Sequence, residues 1–163
     1  GNGVFTGEFL SQPFRSDTFG TIKVNYWLRN FQGVVGDRRV VRVEIFGYAG
    51  LQTNVEYRAD GSGDVGPNLA SRTNGDGGQI SFIFANPVLP PHLDSYTFHI
   101  QTNATSFHEQ GFARIVLNTG ESTIVAFVHL PTLSDCPGDT NGDGVINFTD
   151  LNTVLSTFGE NCP

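Results

Sequence analysis

Along most of the chain, apolar side chains fall at every second position, in short runs broken by Gly, Pro, Asn and Asp. That period of two is the signature of half-buried β-strands. It predicts strands over Val4–Leu10, Thr21–Phe31, Arg38–Tyr48, Thr53–Ala59, Gln79–Ala85, Ser95–Gln101, Ala113–Asn118 and Ser122–Leu130. Three runs alternate clearly. Ile22, Val24, Tyr26 and Leu28 share one face, as do Val41, Val43 and Ile45, and then Tyr96, Phe98 and Ile100. Asn118-Thr119-Gly120-Glu121 predicts a hairpin into the last strand. Eight runs without helical period indicate an all-β fold: an antiparallel β-sandwich, jelly-roll or immunoglobulin-like, over residues 1–134.

The pattern changes after Pro131–Ser134, which reads as a linker. In residues 135–163, Leu151, Val154, Leu155 and Phe158 recur at i, i+3, i+4 and i+7, one stripe of a short helix. Asn147 is placed to cap that helix, and Asp150, three residues on, completes a variant of the capping box. Gly159 is placed to end it. A helix this short is marginal alone in water, so the stripe needs a surface to cover it.

Just before the helix, Asp139 to Asp150 fits a twelve-position calcium loop. Asp139, Asn141 and Asp143 offer side-chain oxygens at positions 1, 3 and 5, and Gly144 supplies the turn. Val145 offers a carbonyl at position 7, Asn147 stands at position 9 and Asp150 at position 12. Oxygens in that register suit a hard cation, which points to Ca2+. Asp at position 12, in place of the usual bidentate Glu, implies a tighter loop or weaker affinity.

Loop, capped helix and acidic position 12 together resemble one repeat of a dockerin type I domain, the docking module of secreted bacterial assemblies. The resemblance covers Asp139 to Phe158. Dockerins of that family carry two repeats whose helices pack together, whereas this chain has one. The resemblance therefore implies that the stripe docks elsewhere, on the sandwich or on another molecule.

Composition sharpens this picture. The chain has 163 residues, 38% of them hydrophobic, with 14 Phe, enough for a real core. It has no Met, from which removal of an N-terminal export signal is expected. Cys136 and Cys162 are the two cysteines and bracket the calcium repeat. A disulfide between them would stabilise the appendage by roughly 3 kcal/mol and implies an oxidising, extracellular or cell-surface setting. The alternative is a pair of free thiols in the cytosol.

Net charge is −7. Asp135, Asp139, Asp143, Asp150 and Glu160 lie in the tail, which carries none of the nine Lys and Arg. The acidity thus belongs to the metal site. With Lys23 the only lysine and no basic stripe, nucleic acid is not an expected partner. Nor is membrane insertion, since no apolar run approaches a membrane span.

Catalytic patterns are scarce, and the chain reads as a non-enzyme. His92, His99, His108 and His129 are dispersed, although strand pairing could bring His99 and His129 together. Two Gly-rich segments imitate the calcium loop. Asn74-Gly75-Asp76-Gly77 reads as a hairpin turn, and Asp60-Gly61-Ser62-Gly63-Asp64 as an exposed loop or a second ion site. Asn103-Ala104-Thr105 and Asn147-Phe148-Thr149 are glycosylation sequons.

Aromatic residues fall on the polar phases of two strands: Trp27 and Phe31 beside Lys23, Asn25 and Arg29, and Phe46 and Tyr48 beside Arg42 and Glu44. These four are candidates for sugar or protein contact, with a covering loop as the plain alternative. The leading expectation is a structural protein whose copies dock to one another as an oligomer, fibre or surface array. Polysaccharide is the alternative partner, with the chain then a carbohydrate-binding module carrying a docking tail.

Overall fold

The computed structural model describes residues 5–15, 21–30, 38–57, 62–73, 78–85, 89–132, 146–156 and 158, without the side chains of residues 127 and 153. Their nine strands are β1 (Gly7–Arg15), β2 (Ile22–Asn30), β3 (Val40–Phe46), β4 (Thr53–Tyr57), β5 (Leu69–Arg72), β6 (Gln79–Ile83), β7 (Phe98–Thr102), β8 (Ser106–Leu117) and β9 (Ser122–Thr132). Helix α1 spans Phe148–Ser156. Sheet A has the order β1-β2-β7-β4 and sheet B the order β5-β6-β3-β8-β9. Every pair of neighbouring strands is antiparallel. The two-sheet antiparallel sandwich expected from the alternation is the fold.

The core forms where the inward phases of the two sheets meet. Ile22, Val24, Tyr26 and Leu28 of β2 are all buried, as their spacing requires. Phe98 sits at the centre, its ring 4.6 Å from Phe82, 6.0 Å from Tyr26 and 6.2 Å from Phe84. Phe9 completes the cluster, stacked on Tyr26 at 5.6 Å and 6.4 Å from Phe98. Tyr26 donates to the carbonyl of His129 at 3.0 Å, so the 2.7 Å contact with Tyr48 must be donated by Tyr48.

Polar contacts tie the sheets together along both sides. On one side, the hydroxyl of Ser11 in β1 meets His129 Nδ1 of β9 at 2.8 Å and accepts the His129 backbone N–H at 2.9 Å. On the other, Arg72 of β5 donates to the carbonyls of Tyr48 and Leu51, both at 2.8 Å, and to the Thr53 hydroxyl of β4 at 3.0 Å. Each edge strand is thereby held against the opposite sheet.

Several expectations need correction. Val41 is not a core position: a register shift between Val40 and Arg42 puts Val40 and Val43 inside and leaves Val41 half-buried. Strand β5 carried no alternation that marks it, and β8 begins at Ser106 rather than Ala113. Pro131 and Thr132 are not linker but the end of β9, opposite Phe107 and Ser106. His99 and His129 lie in different sheets and have separate partners. His99 Nε2 meets Glu56 at 2.6 Å, and His129 Nε2 meets Glu109 at 2.9 Å.

The Asn118–Glu121 hairpin forms as expected. Leu117 N–H bonds Glu121 O at 2.9 Å, and Gly120 takes the left-handed φ of 84° that the turn needs. Residues 74–77 lie outside the described residues, but the strands flanking them, β5 and β6, pair antiparallel. Among the described residues no helix is long and apolar enough to cross a membrane.

Candidate functional site

Three surfaces bear residues singled out by the sequence: the C-terminal helix and the outer faces of the two sheets. The helix begins with the reciprocal cap that its sequence dictates. Asn147 Oδ1 accepts the N–H of Thr149 at 2.7 Å, and Asp150 Oδ2 accepts the N–H of Asn147 at 2.8 Å. Two of the orphan donors of the first turn are thus satisfied.

Asp150 is 2% exposed, although Leu151 beside it is 50% exposed. A buried carboxylate must be balanced by donors or by a cation. Carboxylates accept at both oxygens, so the cap and a cation at position 12 are compatible. Asp139, Asn141, Asp143 and Val145 lie outside the described residues, as do Cys136, Cys162 and Gly159. Among the described residues no three His, Cys, Asp or Glu side chains come together.

The helix stripe is open. Val154 is 45% exposed, Leu155 58% and Phe158 83%, and Ile146 and Phe148 at the other end are exposed as well. An apolar surface of this kind on a short helix is a candidate for contact.

The outer face of sheet B is mixed apolar and basic. Glu44 of β3 is buried between two arginines that are themselves partly exposed. Arg42 Nε lies 2.7 Å from Glu44 Oε1, in ion-pair contact though not aligned as a hydrogen bond, and Arg114 Nε bonds the other carboxylate oxygen. Phe46 stacks on Phe112 at 5.0 Å, and the Arg114 guanidinium lies 5.7 Å from the Phe46 ring centre. Phe112, Ile124 and Leu69 are exposed. Register puts Ile124 opposite Arg114, and Leu69 opposite Ile83, which in turn faces Arg42. Two arginines against one glutamate leave this face positively charged.

The outer face of sheet A is polar. Glu8, Leu10, Gln12 and Phe14 of β1 stand opposite Arg29, Trp27, Asn25 and Lys23 of β2. Further across, His99 and Gln101 of β7 stand opposite Asn25 and Lys23, and Glu56 and Asn54 of β4 stand opposite His99 and Gln101. Trp27 is half-buried within this array.

The four aromatic candidates therefore do not form one patch. Trp27 lies on sheet A and Phe46 on sheet B, on opposite sides of the molecule. Tyr48 is not a surface residue at all: it is fully buried against Tyr26. Gly47, at φ 101°, interrupts the extended backbone after Phe46, so the alternation that put Tyr48 outside does not carry through. Phe31 lies outside the described residues. Phe112, Ile124 and Leu69 were not anticipated. The alternation of Phe112, Arg114 and Val116 against Ala113, Ile115 and Leu117 was the signal for the first of them.

No family model matches the chain, and no curated protein matches it. Among solved structures it is similar to a cohesin module from a family 33 glycoside hydrolase of Clostridium perfringens ATCC13124. Identity is 12% and the TM-score 0.36, over 79% of this chain and 95% of the module. That likeness is too distant to carry a conclusion about this chain.

Proposed function

We propose that this chain is a non-catalytic, secreted bacterial assembly subunit whose dockerin-like tail, held in shape by calcium, docks onto the sandwich of a neighbouring copy. The observation that carries the proposal is the open stripe of Leu151, Val154 and Leu155 on a capped helix, continued by exposed Phe158 just past its end. In this reading residues 135–163 form a separate appendage, stapled by Cys136 and Cys162. Asp139, Asn141, Asp143, the Val145 carbonyl, Asn147 and Asp150 hold the ion. Binding neutralises part of a segment that carries five acidic side chains and no basic ones.

The receiving surface is the outer face of sheet B. It offers Phe112, Ile124 and Leu69 for apolar contact, and its excess arginine charge complements the acidic tail. A contact between two different patches on successive copies does not close on itself unless the rotation permits a ring, so it propagates as a fibre or array.

Complementary variants test this directly. Phe158→Asp disables the tail and leaves the face, and Phe112→Asp disables the face and leaves the tail. Neither alone should self-associate in calcium, whereas an equimolar mixture should form a one-to-one heterodimer by light scattering. Fibres from either single variant, or no complex in the mixture, would refute the docking scheme.

A further inference from the structure

We propose a second binding site, independent of the tail: a cleft on the outer face of sheet A that takes one unit of a neutral polysaccharide against Trp27. The cleft has a volume of about 320 Å³, the lower end of the range for small-ligand sites. Gln12, Asn25, Trp27, Arg29, Asp94 and Thr97 line it. Their chemistry matches a sugar. The indole offers a broad negative π-face on which the weakly positive C–H face of a pyranose ring rests. Two carboxamides, a guanidinium, a carboxylate and a hydroxyl provide the paired donors and acceptors that neighbouring sugar hydroxyls require.

Two residues shape the wall of the cleft. Asn25 Oδ1 is sealed from solvent and takes no hydrogen bond among the described residues. The wall is also built for close approach. Gly63, at φ 139°, lies so near the next segment that a Cβ there would sit 2.6 Å from the Ser95 carbonyl oxygen. Only glycine lets this loop close over the Ser95 backbone.

Charge selects the class of sugar. Arg29 lies 3.4 Å from both Glu8 and Asp94, and Asp64 accepts the Asp94 backbone N–H at 2.9 Å. Glu8 and Asp94 flank the guanidinium and Asp64 lies against the Asp94 backbone, so carboxylates outnumber the one arginine at the mouth. Uronates, sulfated glycans and nucleotides are repelled, and a neutral glycan is not.

Trp27 is the only tryptophan in the chain, so its fluorescence reports on this cleft alone. The full-length protein would be titrated with cellohexaose, xylohexaose, mannohexaose and chitohexaose, and with hexagalacturonate and AMP as anionic competitors. At least one neutral oligosaccharide should give a saturable emission shift and a matching calorimetric isotherm. Asn25→Ala should weaken that binding about tenfold, and Trp27→Phe, which keeps a ring in place, several-fold, with thermal unfolding of Asn25→Ala unchanged. Silence with all four neutral probes would overturn the assignment. So would preference for either anion, or binding that Asn25→Ala and Trp27→Phe leave intact.

Discussion

Single residues carry two kinds of information in this fold. The Tyr26–Tyr48 pair is buried among core side chains, and burial holds both phenols well above their ordinary range, with the neighbouring hydroxyl adding to the rise for Tyr26. An unfolded tyrosine ionises near pH 10. The folded pair must stay neutral there, so its contribution to stability is complete below about pH 10 and is lost as pH rises beyond it. Absorbance at 295 nm and circular dichroism followed together should show the two buried phenols ionising only with unfolding. Tyr26→Phe, which strands both Tyr48 and the His129 carbonyl, should cost about 1–3 kcal/mol in chemical denaturation. Asp150 belongs to the other kind, a residue whose local role is legible from spacing alone. Replacing it with Ala should remove a cap worth about 1 kcal/mol to the helix. Under the calcium proposal it should also weaken ion binding measured by calorimetry; a variant with parental calcium affinity would remove Asp150 from the ligand set.

Elements were legible in the sequence in proportion to how much core each faces. Strand β2 alternates without fault because its whole inward phase is buried, and the α1 cap was legible because its donors and acceptors are local. Strand β5 was not, since Leu69–Arg72 is short and exposed along most of its length. The first half of β8 was missed for a related reason. Ser106–His108 pairs with the far end of β9, and the side chains of Ser106–Gln110 keep no inward apolar phase. The bulge at Val40–Arg42 and the turn of backbone at Gly47 were invisible because each shifts phase by one residue, which residue type alone does not announce. Strand β8 also supplies a test of packing. At Gly111, between two register shifts, a Cβ would fall 2.6 Å from the Val128 carbonyl oxygen and into the Leu130 side chain. Gly111→Ala should therefore cost about 1–3 kcal/mol, measured by urea denaturation; a neutral effect would mean that β9 yields easily at this point.

The molecule as a whole presents two outer faces of different chemistry and a helix with an open apolar stripe. Sheet A is polar around one tryptophan, while sheet B is apolar and basic, with exposed Phe112 and Ile124. The division explains why one aromatic patch was not found where the sequence suggested four candidates. In the proposed account one chain docks to a neighbour by one face and holds a glycan by the other. In the proposed account calcium governs the first activity and not the second. Chelation should melt the tail over residues 139–158, seen as a loss of protease resistance there, while the sandwich stays folded.

Sedimentation velocity of the full chain, with calcium and with chelator, tests the central proposal most directly. The account predicts growth of large species with protein concentration in calcium, reversal to monomer in chelator, and monomer throughout for Phe158→Asp. A chain that stays monomeric in calcium at high concentration, or one that associates equally in chelator, would contradict it.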